Sequence, residues 1–355
     1  MSGPAHRICL VNPSRGVAGP ASFQRRLAAG LAARGVGVAY GLDDEPYAAA
    51  LVVGGVRQLA GLRRVRRGGV PVLQRLDGIN WLHRRLPTGL RHFLRAEANN
   101  LLMRFVRRRL ADLVVYQSQF ARDWWEREFG AAPVRSQVVH NGVPLDEFYP
   151  GGEGRPPADR IRLLMVEGRL GGGYEVGLGA AAALAQRLQA VTGSAVELAV
   201  AGEVTERAKL ALRARIVPQS NSNPRGPATL RLNWLGKVEP DSIPALDRTG
   251  HLLYAADLNP ACPNTVLEAM ACGLPVVAFA TGALPELVQG DAGRLAPYGG
   301  DPWKLEVPDI EGLAQAAVEV LAEHDRYRRG ARARAEQAFG QERMVQGYLD
   351  VLGWG

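Results

Sequence analysis

Apolar residues in this chain gather in short continuous blocks, and between the blocks they recur every three or four positions. The first pattern is that of a strand buried on both faces, the second that of an amphipathic helix. Arg7–Val11 opens as a strand, Gly16-Val17-Ala18-Gly19-Pro20 follows as a loop, and Phe23, Leu27 and Leu31 mark one helix face. Pro20 suits the first turn of that helix and Gly35 its end. Further strands are predicted near Ala48–Val53, Val70–Leu76, Leu113–Gln117 and Gln137–His140, with helices such as Arg91–Leu110 and Gln119–Phe129 between them. This alternation predicts a parallel sheet flanked by helices.

The run Tyr149-Pro150-Gly151-Gly152-Glu153-Gly154-Arg155-Pro156-Pro157 is the most linker-like stretch, and after it the alternation starts again. Strands are predicted at Ile161–Val166, Ala195–Ala201, Leu230–Leu235, His251–Tyr254, Pro275–Ala278 and Gly293–Leu295. The helices expected are Glu175–Gln189, Glu206–Ile216, Thr265–Cys272, Pro285–Gln289 and an interrupted Ile310–Phe339. The polar segment Gln219–Pro227 reads as an extended surface loop. The fold expected is α/β: two doubly wound domains, 1–150 and 151–339, with a terminal helix at about 340–355 packing back on the first. Ligands of such sheets bind beyond the carboxyl ends of the strands, so a cleft between the domains is the expected site.

Composition narrows the class. The 355 residues are 47% apolar and 22% charged, which excludes a disordered chain, a collagen and a coiled coil. No apolar run approaches the ~20 residues of a membrane span, and Ile8-Cys9-Leu10-Val11 is too short for a signal-peptide core. A cytoplasmic protein is expected, with Cys9, Cys262 and Cys272 as reduced core residues. Charge is uneven: residues 1–150 carry 22 Arg against 11 acids, and the remainder 21 Lys or Arg against 24 acids. The clusters Arg63-Arg64-Val65-Arg66-Arg67, Arg84-Arg85 and Arg107-Arg108-Arg109 concentrate a positive field on the first domain. That field favours an anionic partner such as a nucleoside diphosphate or an anionic membrane face. Peripheral contact at the inner membrane face is therefore one expectation, though the stretch Trp81–Arg109 reads better as a core-facing helix beside a solvated face. Aromatic-interleaved basic motifs are absent, so nucleic acid is not an expected partner.

The stretch carrying most chemistry is Asn259-Pro260-Ala261-Cys262-Pro263-Asn264-Thr265-Val266-Leu267-Glu268-Ala269-Met270-Ala271-Cys272-Gly273-Leu274-Pro275-Val276-Val277. It reads as a loop, a short helix capped near Asn264, a glycine stop at Gly273 and a buried strand. Main-chain N–H groups of Asn264 and Thr265 at the positive helix end can hold a phosphate. Glu268, on the same helix face as Asn264, can accept hydrogen bonds from two sugar hydroxyls. An ordinary amphipathic helix with an exposed glutamate is the plainer alternative for these residues taken alone.

Together with Thr281-Gly282-Ala283-Leu284-Pro285-Glu286-Leu287-Val288, this stretch resembles the signature of family 4 glycosyltransferases, retaining enzymes of the GT-B fold. Val138–Asp146, Glu167-Gly168-Arg169-Leu170, Ala199–Glu203 and Trp234–Val238 match that family in order along almost the whole chain. The resemblance implies a nucleotide-diphosphate sugar as donor, with Glu268 on the ribose and Arg169 neutralising the diphosphate. It places Gly202, Gly236 and Lys237 on the base and ribose side. Gly19, in the first-domain loop, would let main chain approach the phosphate or the sugar. It also implies front-face transfer without a protein nucleophile. The chain has no Asp-x-Asp triplet, so no metal and no further cofactor are expected.

Two positions depart from the family. The first glutamate of its paired-glutamate motif is Pro260 here, and the lysine that usually follows Arg169 is missing from Gly171-Gly172-Gly173-Tyr174-Glu175. Donor-sugar contacts then fall to Asn264, Thr265 or main chain. On the acceptor side, Gln74-Arg75-Leu76-Asp77-Gly78-Ile79-Asn80-Trp81 ends where a strand should meet the cleft. Asp77 either accepts a hydrogen bond from an acceptor hydroxyl or caps the next segment. The acceptor itself, whether glycan, lipid-linked saccharide or small molecule, is left open by the sequence. A dinucleotide-dependent oxidoreductase is disfavoured because the Gly16–Gly19 loop lacks the G-x-G-x-x-G spacing. Another GT-B enzyme, such as a nucleotide-sugar epimerase, and a membrane-docking homologue remain as alternatives.

Overall fold

A computed structural model describes residues 6–11, 19–170, 175–215 and 230–354. The loop expected at Gly16–Ala18, the turn Gly171–Tyr174 and the polar segment Gln219–Pro227 lie outside the described residues. By internal contacts the chain forms two units, Met1–Pro144 with Phe339–Gly355, and Leu145–Ala338.

In the first unit the elements run β1 (Arg7–Val11), α1 (Gly19–Ala33), β2 (Gly37–Ala39), β3 (Ala49–Val53), α2 (Leu59–Arg67), β4 (Val72–Leu76), α3 (Leu90–Arg109), β5 (Leu113–Tyr116), α4 (Gln119–Phe129) and β6 (Arg135–Val138). The second unit follows with β7 (Ile161–Leu170), α5 (Val176–Thr192), β8 (Val196–Val204), α6 (Glu206–Arg215), β9 (Arg231–Gly236), α7 (Ile243–Asp247), β10 (Leu252–Tyr254), α8 (Asn264–Ala271), β11 (Val276–Phe279), α9 (Leu284–Leu287), β12 (Gly293–Ala296), α10 (Ile310–Ala322) and α11 (His324–Ala338). The chain then returns to the first unit as α12 (Gln341–Leu352).

Each unit holds one six-stranded sheet, ordered β2-β1-β3-β4-β5-β6 and β12-β11-β10-β7-β8-β9, and every strand pair in both is parallel. The doubly wound α/β class expected from the βα alternation is what forms. Strand order reverses between β1 and β3 in the first unit and between β7 and β10 in the second. At such a switch point the connections leave to opposite sides of the sheet, opening a crevice at the carboxyl ends of the two strands.

Two expectations about elements are corrected. The three-residue β2 escaped the sequence reading because Gly37-Val38-Ala39 is too short and too poor in branched residues to stand out, and it pairs only with β1. Gly19 is not a loop residue: it is the first residue of α1, with Pro20 behind it in the first turn.

The core of the first unit shows why α12 belongs there. Phe23, Leu27 and Leu31 of α1, the face picked out by periodicity, are buried against Met344, Val345, Tyr348 and Leu349 of α12. Gly30 makes the approach possible, since a Cβ there would lie 2.4 Å from Val345 Cγ2. Main-chain bonds from Val143 N–H to Phe339 O (2.8 Å) and from Gln341 N–H to Val143 O (2.9 Å) tie down the entry to the helix.

Candidate functional site

The strongest motif lies in the second unit, on α8. Its start differs slightly from expectation: Asn264 is the first helical residue, and Pro263 takes the cap position without a side-chain cap bond. Pro263 is extended at φ −70° and ψ 120°, which a proline reaches without strain, so the turn into the helix is set by its ring. Glu268 follows one turn later and is buried with the rest of that face. The stop is as expected: Gly273 has φ +69°, its N–H reaches Met270 O (2.9 Å), and Leu274 N–H reaches Ala269 O (2.8 Å). This six-to-one and five-to-two pairing satisfies the last carbonyls and hands the chain to the fully buried β11.

The second half of the motif, Thr281–Val288, folds against the first. Gly282 has φ +59°, and a Cβ there would stand 2.5 Å from main-chain atoms of Asn259 and Pro260. Ala283 N–H donates to Pro260 O at 2.8 Å. Pro260, which replaces the first glutamate of the family pair, thus serves as a main-chain partner of this turn. Beside it Asn259 is buried in the left-handed region at φ +56°, and neither its Nδ2 nor Thr281 Oγ1 has a hydrogen-bond partner among the described residues. A buried amide and hydroxyl left unpaired are costly unless a ligand or water completes them.

The carboxyl ends of β7 and β10, the two strands at the switch point, carry two acids: Glu167, which opens the Glu167–Leu170 match without a role assigned to it there, and Asp257, which no motif picked out. Burial pushes Glu167 up to about 8, with the neighbouring Asp257 adding to the rise. Burial likewise pushes Asp257 up to about 7, against a hydrogen bond from the main-chain N–H of Leu258. A carboxyl kept neutral near pH 7 is a hydrogen-bond donor and no longer repels an anion. Gly202, near the end of β8, packs against the main chain of Glu167 with φ +134°, where a Cβ would run into Glu167 O. A third buried acid, Asp247, has neither carboxyl oxygen hydrogen-bonded among the described residues, and burial followed by the charge of Glu268 raises it well above the usual carboxylate range. The signal for these acids was topological: each sits where a strand or helix ends inside the unit, visible only once strand order is known.

Arg169 stands exposed on β7, past an irregularity in the β7–β8 register, opposite Glu203. Its guanidinium makes no ion pair or hydrogen bond with any described residue. Lys237 follows the edge strand β9 and pairs with Glu239 at 3.2 Å. Gly202, Lys237, Asn264, Thr265, Glu268 and Arg169 therefore all belong to the second unit.

Asp77 and Gly19 belong to the first unit. Asp77 follows β4, and its main-chain carbonyl accepts the Trp125 indole N–H at 2.7 Å. Burial raises its carboxyl above the usual range while the Arg75 guanidinium pulls it down. Arg75 itself is buried on β4, stacked 3.7 Å from the Phe23 ring and donating to Asn141 Oδ1 at 2.8 Å. Two of the histidines are engaged within the fold: His83 pairs with Glu97 at 2.9 Å, and His324 bonds His251 O at 2.8 Å. Among the described residues no three His, Cys, Asp or Glu side chains gather into a metal-binding group, and no helix is long and apolar enough to cross a membrane.

Comparison with known proteins points the same way. Residues 163–323 match the family described as "Glycosyl transferases group 1". A D-inositol 3-phosphate glycosyltransferase of Salinispora tropica is 30% identical over 251 residues, 63% of this chain and 47% of that protein. An N-acetyl-alpha-D-glucosaminyl L-malate synthase of Bacillus anthracis is 32% identical over 125 residues, 34% of this chain and 30% of that protein. The chain thus spans half or less of the length of these relatives. Among solved structures, sucrose-phosphate synthase of Thermosynechococcus elongatus superposes with a TM-score of 0.74 at 17% identity, over 99% of this chain and 100% of that one. HepE of Anabaena, solved with UDP and glucose, superposes with a TM-score of 0.68 at 17% identity, over 98% of this chain and 99% of that one. Residues of the second unit thus match the group 1 glycosyltransferases in sequence, and along its length the chain shares the GT-B fold with these solved structures.

Proposed function

We propose that the protein is a glycosyltransferase that moves a sugar from a nucleoside-diphosphate donor, held by the second unit, to a hydroxyl of an acceptor received by the first. The observation that carries this reading is the buried Glu268 on a helix whose cap residue, Pro263, makes no side-chain cap bond, in a sheet whose switch-point acids are pushed up towards neutral pH by burial. Glu268 accepts the ribose hydroxyls, and the α8 N-terminus with Asn264 and Thr265 faces the phosphates. The uncommitted guanidinium of Arg169 matches the diphosphate in charge and geometry and stabilises it as it departs. Gly202 and Lys237 line the base and ribose side, and Gly19, the first residue of α1, offers main chain with no Cβ in the way of a phosphate or sugar. The presence of UDP and glucose in HepE supports a nucleotide-sugar donor.

Transfer is retaining and follows a front-face course. The acceptor oxygen attacks the anomeric carbon on the side from which the diphosphate leaves, the carbon–oxygen bond to phosphate breaks, and the leaving oxygen takes the acceptor proton. No protein nucleophile is needed; the chain supplies positioning and charge stabilisation. Asp77 orients the acceptor hydroxyl by accepting its hydrogen bond. Neither a metal nor a further cofactor takes part, so EDTA leaves the rate unchanged. The setting is cytoplasmic, in keeping with three buried cysteines that form no disulfide.

A thermal-shift screen against UDP, GDP, ADP and dTDP tests the donor site, because a ligand that binds only the folded state raises Tm. One nucleotide should stabilise the protein, and Glu268→Ala and Arg169→Ala should each abolish the shift. If both variants respond like the parent, the site assignment is wrong. Donor consumed to give free epimerised sugar with no acceptor present would instead identify a nucleotide-sugar epimerase.

A further inference from the structure

The first unit holds a cavity of about 430 Å³ that none of the donor-site residues touches. Arg57 enters it from the loop after β3 and Asn80 from the loop after β4, while α3 supplies His92, Arg95, Asn99 and Leu102. The cavity therefore opens at the carboxyl end of the sheet, on the strand that flanks the β1/β3 switch point, where ligands of such sheets bind.

Its electrostatics are one-sided. Among the described residues no acid lines it, and the guanidinium groups of Arg57 and Arg95 make no ion pair or hydrogen bond with any of them. The one carboxylate of α3, Glu97, is already engaged by His83 at 2.9 Å and by Arg84, and lies well below the usual carboxylate range as a result. Glu97 is therefore already neutralised by partners other than the two arginines that line the cavity.

The walls are built. Asn100, buried beneath the cavity, accepts from the Asn80 main-chain N–H (3.0 Å) and from Asn80 Nδ2 (2.9 Å), and donates back to Asn80 O (2.9 Å). These three bonds fix the Asn80 loop to α3. Gly55 lets the post-β3 loop close on the same helix: a Cβ there would come within 3.3 Å of Asn99 Oδ1, Leu102 and Met103. A concave, pre-shaped pocket with two free guanidinium forks and amide side chains is suited to a tetrahedral or carboxylate anion carried on a polyol.

We infer that this pocket receives the acceptor, and that the acceptor is anionic: a hydroxyl-bearing molecule whose phosphate or carboxylate is clamped between Arg57 and Arg95. The inference rests on the glycosyltransferase reading for the word acceptor, whereas the anion site stands on the pocket alone. Asp77 lies three residues before Asn80 on the same loop after β4, although it does not itself line the cavity. Two sources share the chemistry, a soluble phosphorylated polyol and the head group of an anionic lipid. The outward face of α3, with Leu90, Leu94 and Leu101 exposed beside the pocket, is compatible with either.

The test is calorimetric titration of the full chain with glucose 6-phosphate, glycerol 3-phosphate and neutral glucose, alongside co-sedimentation with phosphatidylcholine vesicles with and without phosphatidylglycerol. The parent should bind a phosphorylated polyol or the phosphatidylglycerol vesicles and give no heat with glucose at equal concentration. R57A and R95A should each weaken binding about tenfold, and the double variant about a hundredfold, as expected for charge-assisted hydrogen bonds. Binding confined to the vesicles and lost in the double variant assigns the lipid source; binding of the soluble phosphates assigns the other. Glucose binding as well as its phosphate, or a double variant that binds as the parent does, overturns the inference. The nucleotide-induced Tm shift, read on the same double variant, shows that it is folded. Anion binding without any nucleotide shift in the parent would keep the anion pocket and refute the donor reading instead.

Discussion

Replacing Glu167 by glutamine tests the switch-point acids directly. The carboxyl titrates at about 8 in the folded chain against an ordinary value of 4.5, so the folded state holds its proton where the unfolded chain has lost it. The sign follows from linkage: stability is complete below pH 4.5, falls as pH rises from there through about 8, and is level beyond. At pH 7 the folded state forgoes about 3 kcal/mol relative to a residue with no proton to keep, at 1.36 kcal/mol per pH unit. Glu167 is only partly buried by area, so solvent screening reduces this to about 1.5 kcal/mol. Glutamine keeps the shape and the hydrogen-bonding amide but cannot ionise. Urea unfolding of both proteins at pH 4, 7 and 8.5 should show equal stability at pH 4 and a gain of about 1–2 kcal/mol for Glu167→Gln at pH 7, larger at pH 8.5. Nucleotide affinity of the parent should fall over the same window, because two ionised carboxylates repel the phosphates, and that fall should be smaller in the variant. Asp257→Asn should lower the midpoint of Glu167, since the Asp257 charge is the second cause of its rise. A gap between Glu167→Gln and the parent that does not grow with pH would refute the picture of a buried, proton-holding pair.

Further outcomes test the local packing. Gly202→Ala should cost at least about 2 kcal/mol, because the new Cβ meets a main-chain oxygen that cannot swing away, and should weaken nucleotide binding as the Glu167 segment moves. In α1, Gly30→Ala sets overpacking of about 1–3 kcal/mol against a helix-propensity gain of about 1 kcal/mol. It should therefore lower the unfolding midpoint, and Val345→Ala in the same chain should recover part of the loss if α12 sits where it is described. Arg332 donates from one guanidinium to the carbonyls of Leu145, Phe148 and Ala271, so Arg332→Ala should cost about 2–4 kcal/mol, measured by denaturation, and Arg332→Lys should restore only part of it.

Much of this protein was legible along the chain because its cues are local. Pro20 and Gly35 bracket the first helix, Gly273 ends α8, and continuous apolar blocks mark strands buried on both faces. These depend on φ preferences and side-chain periods that a few residues express alone. Glu268 stands out as a candidate for the same reason, since the helix and its stop lie in one unbroken run. Strand order was not local. The sequence shows that β7 and β10 are strands, but only packing of the whole sheet makes them neighbours and sets Glu167 against Asp257, 90 positions apart. Proton retention by that pair, the unpaired Asn259 amide beside Thr281 and the two free guanidinium forks at one cavity arise from burial and from which partners are out of reach. Composition can state that arginines abound in the first 150 residues; only the tertiary structure decides which of them are neutralised by a carboxylate and which are left to meet a ligand, because pairing depends on distance in space.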